Sequence, residues 1–125
     1  MAASVADASA LGAVAFGEPE AAEVAGRLAG EELYAPSLVA YELASVARKK
    51  VLAHPGQREA IGWALEQVLA LDVRRVDVDQ PAVLELALEA GLTTCDAAYL
   101  WLARQLGASL VTLDAELAAA AGGGG

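Results

Sequence analysis

The rhythm of the chain constrains it most: four short apolar stretches alternate with longer helical segments, with a turn signal at almost every boundary. Residues 2–6 (Ala-Ala-Ser-Val-Ala), 32–35 (Glu-Leu-Tyr-Ala), 72–78 (Asp-Val-Arg-Arg-Val-Asp-Val) and 109–113 (Ser-Leu-Val-Thr-Leu) have strand length. The last is the clearest strand, and the alanines of the first make it the weakest. Pro36 is expected to stop the second. Helices are expected over residues 8–16 and 19–29, parted at Gly17, with Pro19 in a first turn and Gly30 as a C-cap. Ser37 is expected to cap a helix running to about Ala53, which closes on Arg48, Lys49 and Lys50 before His54-Pro55-Gly56. Another covers about 57–71, and Pro81 opens one that ends at Gly91. Thr93 or Thr94 caps a helix over about 95–106, ended by Gly107, and an alanine-rich helix follows Asp114. Strands joined by helical crossovers need parallel pairing. The reading is therefore an α/β three-layer sandwich, a central and mainly parallel sheet flanked by helices.

At 125 residues one domain is expected, spanning 1–121, with a flexible glycine tail at 122–125. Much of the 57% hydrophobic content is alanine, yet enough larger side chains remain for a core, which excludes intrinsic disorder. A single cysteine, Cys95, excludes a disulfide scaffold. No apolar run reaches the roughly 18 residues of a membrane span, and Asp7 interrupts any leader-like start. A soluble, cytoplasmic protein with no membrane partner is the expectation. The formal charge of −9 opposes binding of nucleic acid through bulk electrostatics.

Four acids stand in telling places. In an open parallel sheet, ligands bind outside the carboxyl ends of the strands, and Asp7 and Asp114 both follow strands directly. Each also fits an ordinary helix N-cap. Asp96 fits a capping box in Thr93-Thr94-Cys95-Asp96. Glu42 is different: it lies inside a helix, among Leu38, Val39, Ser45 and Val46 on the apolar stripe, where no cap is needed. A buried carboxylate there needs a partner, either Lys49 two turns on or a metal ion shared with other acids. If the four converge, oxygen-only ligation selects Mg²⁺ or Mn²⁺ over Zn²⁺, and such a cage suits phosphodiester hydrolysis.

At these residues the chain resembles the PIN-domain ribonucleases, most of all the VapC toxins of toxin–antitoxin pairs. The resemblance runs through Val5-Ala6-Asp7-Ala8-Ser9-Ala10-Leu11, Ala40-Tyr41-Glu42-Leu43 with Ala47-Arg48, Thr93-Thr94-Cys95-Asp96-Ala97-Ala98-Tyr99-Leu100 with Leu102-Ala103, and Gly107-Ala108-Ser109-Leu110-Val111-Thr112-Leu113-Asp114. It covers essentially the whole chain, and its last two blocks are the most specific. It implies a PIN-like sandwich and Mg²⁺- or Mn²⁺-dependent endoribonuclease activity. Asp7, Glu42 and Asp96 fall on the family's invariant acids and Asp114 on its more variable fourth. Thr112 falls on a hydroxyl residue that supports the cage. The implied partners are an RNA substrate, a VapB-like antitoxin and a second copy of the chain. Against the family pattern, Ala2-Ala3-Ser4 is a weak first strand.

Other residues carry weaker signals. Ser9 is either a polar support beside Asp7 or a plain first-turn residue. Arg48, Lys49 and Lys50 are either a solvated helix end or an RNA contact. His54 is read as a helix-end residue, Cys95 as a small packed side chain, and Trp63 and Trp101 as core. A receiver-like phosphoacceptor fits poorly, since Asp7 has no acidic neighbour and no lysine follows Lys50; a haloacid-dehalogenase-like phosphatase fails at Ser9, where it needs a second Asp. A non-catalytic protein of the same fold, acting through a protein partner, is the remaining alternative.

Overall fold

A computed structural model describes residues 2–123. Its sheet has four strands: β1 (Ala3–Ala6), β2 (Glu32–Pro36), β3 (Val73–Val76) and β4 (Ser109–Val111). The strand order is β3-β2-β1-β4 and every pairing is parallel. Seven helices accompany them: α1 (Ala8–Ala15), α2 (Ala21–Leu28), α3 (Val39–Ala53), α4 (Arg58–Leu69), α5 (Gln80–Ala90), α6 (Thr94–Leu106) and α7 (Ala115–Gly123). Successive strands step from β1 to β3, and the chain then returns across the sheet to place β4 on the other side of β1. Right-handed crossovers in opposite directions put α1 to α4 on one face and α5 to α7 on the other. Packing agrees: α1 meets α2, α3 and α4, while α6 meets α5, α7 and β1. The reversal makes the gap between β1 and β4 a topological switch point.

The alanines of β1 suit this place. As an inner strand covered by helices it keeps Ser4, Val5 and Ala6 buried, and small side chains let α1 and α6 approach closely. Ser4 satisfies its hydroxyl by donating to Glu31 Oε1 at 2.9 Å. The core around it is built from Leu11, Leu43, Val83, Tyr99 and Leu117, each almost wholly buried. Burial of each large side chain contributes on the order of 1.5–3 kcal/mol.

Several boundaries differ from the sequence reading, for local reasons. Pro36 does not stop β2 but ends it, paired with Val76 beyond the last β1 partner, where no ladder amide is needed. Ser37 does not cap α3; its hydroxyl donates to Asp77 Oδ1 at 2.7 Å, and Leu38 takes the cap position without a side-chain bond. Pro19 lies in the turn before α2, and Pro55–Gln57 form a separate 3-10 turn before α4. β3 is four residues rather than seven. β4 ends at Val111, because Thr112 leaves the ladder to bond Asp7. The caps at Thr93, Gly91 and Gly107 are as read, both glycines being left-handed. Gly122 and Gly123, expected in a flexible tail, continue α7; the other two residues of that expected tail, 124–125, lie outside the described residues.

Trp63 is not core: it is 64% exposed, because the buried stripe of α4 runs through Ile61 and Val68, and Trp63 points about 200° away from Ile61. Trp101 does pack half-buried against the core. Among the described residues no helix is long and apolar enough to cross a membrane.

Candidate active site

The switch point brings the chain's acids to one rim. Asp7 leaves β1 as the N-cap of α1, and its buried carboxylate is fully engaged. Oδ1 accepts from Ala10 N at 3.0 Å and from Ser9 Oγ at 2.7 Å, and Oδ2 accepts from Thr112 Oγ1. Both hydroxyls are themselves fixed by backbone amides: Leu113 N donates to Ser9 Oγ at 2.9 Å and Asp114 N to Thr112 Oγ1 at 3.0 Å. With both hydroxyl protons committed to Asp7, the 3.4 Å Ser9–Thr112 contact has no donor of its own. Asp7 therefore ties the end of β1 to the end of β4 and is at once a cap and a rim acid.

Glu42 reaches the same rim from α3. Among the described residues neither Lys49 nor any other cation is its partner; Tyr99 of α6 donates its phenolic hydroxyl to Glu42 Oε1 at 2.5 Å. Burial raises the Glu42 carboxyl above its ordinary value, the Tyr99 hydrogen bond offsets part of that, and the charges of Asp96 and Asp7 raise it further. Tyr99 is 1% exposed. Burial, followed by the hydrogen bond and charge of Glu42, pushes its phenol far up, so it stays a donor. The Ala8 backbone acts weakly in the opposite direction. One hydroxyl thus links α6 and α3.

Asp96 stands in the first turn of α6, whose Thr93 cap accepts from Asp96 N at 3.1 Å. Burial raises its carboxyl, and Asp114 raises it next; Thr93 pulls it down, and Asp7 and Glu116 push it up again. Asp114 is exposed and caps α7 by accepting from Leu117 N at 2.9 Å. All four sequence-selected acids thus share one rim, where Asp96 and Asp7 raise the Glu42 carboxyl and Asp114 and Asp7 raise that of Asp96. They do not form a closed cage: among the described residues no three His, Cys, Asp or Glu side chains stand close enough to hold a metal ion. The donor set is nevertheless of the right kind for a hard divalent cation: carboxylates and hydroxyls, with excess negative charge and no ion pair on the rim among the described residues.

Three features escaped the sequence reading. Tyr99 lies three residues after Asp96, hence on the same helical face, and that spacing was the available signal. Glu116 adds a fifth negative charge from the first turn of α7. The basic cluster is divided: Lys50 pairs with Glu18 and lies over the Phe16 ring at 5.6 Å, whereas Lys49 lines an open groove beside Glu42. Cys95 is exposed rather than packed, yet partial burial and then the charges of Glu42 and Asp96 push its thiol up, so it is not an activated nucleophile.

A parallel α/β sandwich with strand order β3-β2-β1-β4 and an acid-lined switch point defines a narrow class of protein. The family model for the PIN domain matches residues 4–123, and the chain belongs to that family. It is similar to Ribonuclease VapC3 of Pyrobaculum aerophilum, 36% identical over 120 residues that cover 91% of each chain. It also resembles the crystal structure of PAE2754 from Pyrobaculum aerophilum, with a TM-score of 0.78 and 29% identity over 95% of this chain and 79% of that one.

Proposed function

We propose that this protein is a divalent-metal-dependent endoribonuclease, the toxin of a VapBC-type toxin–antitoxin pair. The observation that carries the reading is the uncompensated rim: Asp7, Glu42, Asp96 and Asp114 converge from four elements, and two of them are held above their ordinary pKa with no cation to neutralise them. Capping accounts for Asp7 and Asp114 but not for charged Glu42 and Asp96 gathered beside them at a cost in stability, which is the mark of a site built for a bound charge. The 36% identity to a protein named as a ribonuclease supports RNA as the substrate.

In this reading Asp7, Glu42, Asp96 and Asp114 would supply the oxygen ligands of a Mg²⁺ or Mn²⁺ ion, and the ion would supply activation of water and neutralisation of phosphate charge. The chain's own residues do the positioning. Ser9 and Thr112 lock both oxygens of Asp7, and Tyr99 fixes the rotamer of Glu42, so the acids face the rim at fixed angles. The toxin acts in the cytoplasm as a homodimer, neutralised by a VapB-like antitoxin; Trp63 and Leu88 are the exposed apolar side chains best suited to such partners.

The test is cleavage of RNA by the purified protein in EDTA, then with Mg²⁺ or Mn²⁺ restored. Cleavage that appears only with the cation is the expected result. Cleavage that persists in EDTA overturns the metal dependence, and none with either cation overturns the nuclease in favour of a PIN-fold protein acting without catalysis.

A further inference from the structure

Beside Glu42 lies an open groove of about 360 Å³, lined by Ala8, Tyr41, Glu42, Ser45, Val46 and Lys49. Its composition is unlike the rest of the rim. Tyr41 is 80% exposed although it immediately precedes a half-buried acid, and it is the most exposed large apolar side chain among the described residues. An aromatic ring left that open gains nothing from the fold, since no core residue packs on it. Lys49 is exposed and makes no ion pair among the described residues, in contrast to Lys50 next to it. Glu42, Ser45, Val46 and Lys49 follow at helical spacing along α3, so Lys49 sits seven residues from Glu42, about 10 Å along the axis. That is too far to share a group bound at Glu42 and suits the next charged group along a chain.

We infer that the Tyr41–Lys49 groove is the subsite for an unpaired nucleotide adjoining the cleaved bond: Tyr41 stacks on its base and Lys49 meets the neighbouring phosphate. This rests on the ribonuclease reading and adds to it a place for one unstacked base beside Glu42. An aromatic face accepts any unstacked base, whereas in a duplex that face is covered by its neighbours. The groove also answers the charge problem. A chain of net charge −9 cannot attract RNA in bulk, so one free cation and one stacking ring, placed against the acids, supply local affinity. A protein partner fits less well, because the groove includes the rim acid Glu42 and offers only one large exposed apolar ring among the described residues.

The experiment compares the full-length protein with Tyr41→Ala, Tyr41→Leu, Tyr41→Trp and Lys49→Gln. Binding of a fluorescein-labelled single-stranded oligoribonucleotide is read by anisotropy in Ca²⁺, and cleavage is followed separately in Mg²⁺. Binding should weaken about tenfold in the Ala and Leu variants and stay within about twofold in Trp, with the same pattern in KM and little change in kcat. Lys49→Gln should reduce the slope of log affinity against log salt by about 0.7, one phosphate's worth on a single strand. A hairpin duplex should show no Tyr41 effect. Unchanged thermal unfolding verifies that the exposed position leaves the fold intact.

Equal binding by wild type and Tyr41→Ala overturns the inference, as does full retention by Leu, which would make the contact merely apolar. If Tyr41→Ala instead weakens neutralisation by a protein inhibitor and leaves RNA binding alone, the groove belongs to that protein. Absence of cleavage by the wild type counts against the nuclease reading, while the anisotropy series still decides the groove.

Discussion

The two ends of the sheet treat their acids in opposite ways. At the amino end, Glu31 accepts from Ser4, Tyr34 bonds Glu32, and Arg74 reaches over the Tyr34 ring with its guanidinium 5.6 Å from the centroid. A cation therefore stands beside the acids there: Arg74 donates to the Tyr34 hydroxyl that in turn donates to Glu32, and it lines one pocket with Glu31 and Glu32. At the carboxyl end, the charges of Asp96 and Asp7 raise the Glu42 carboxyl and those of Asp114, Asp7 and Glu116 raise that of Asp96, and among the described residues only hydroxyls and amides answer these acids. Hydrogen bonds satisfy the oxygens without removing the net charge, so one end is finished as a structure and the other awaits a counter-charge. Acidity alone therefore identifies nothing in this chain; the absence of compensation does.

Removing a rim acid should have the largest effect. Asp7→Asn keeps the cap, because Asn is as good an N-cap as Asp, yet loses the charge. RNA cleavage should fall by more than about 100-fold, beyond the 10–100-fold typical of residues standing behind a ligand, with the circular dichroism spectrum unchanged. Asp96→Asn should do the same, and retention of full cleavage by both would erase the distinction between the two ends.

Next in size is Tyr99→Phe, which keeps the buried ring and deletes the hydroxyl. Glu42 then loses its only side-chain donor among the described residues. Apparent affinity for Mn²⁺, measured by calorimetry, should drop about 10–100-fold. A merely structural tyrosine would lower the melting temperature and leave the Mn²⁺ affinity where it was.

The pH dependence is smaller and has a definite sign. A carboxyl whose folded pKa is raised binds more protons in the folded than in the unfolded state between the two values. Stability therefore falls as pH rises from the ordinary carboxylate value through the raised one, the reverse of a salt-bridged acid. Glu42 and Asp96 both act in this direction. Glu42→Gln, which can still accept from Tyr99, should raise the melting temperature at pH 7 by roughly 2–4 °C and change it little at pH 4. A lower melting temperature at pH 7 would mean that the rim is already compensated.

The smallest effect belongs to the compensated acid Glu18, whose partner Lys50 is partly exposed. Glu18→Gln should cost less than about 1 kcal/mol in urea unfolding and leave RNA cleavage unchanged. A larger loss would show the Glu18–Lys50 pair to be part of the site.

Local chemistry was readable wherever one residue decides the backbone. Gly91 and Gly107 end helices in left-handed geometry, Thr93 accepts an amide in the first turn of α6, and Asp7 and Asp114 follow strands. Glu42 was legible by contrast, as a charge on an apolar stripe. Ser37 and Pro36 were misread because their partners, Asp77 and Val76, are about forty residues away. Trp63 was misread for another reason: its size outweighed a helical phase that the stripe through Ile61 and Val68 had already set.

By itself the sequence determined the alternation of strands and helices, the four acids and their places at strand and helix ends. These follow from periodicity and capping, which act within a few residues. Only the tertiary structure decided that β4 lies beside β1, that Tyr99 rather than Lys49 answers Glu42, and that Lys50 is taken by Glu18 while Lys49 is left free. Those outcomes depend on which distant surfaces meet, and side-chain pairing across them is settled by distances of a few ångströms that no local pattern encodes.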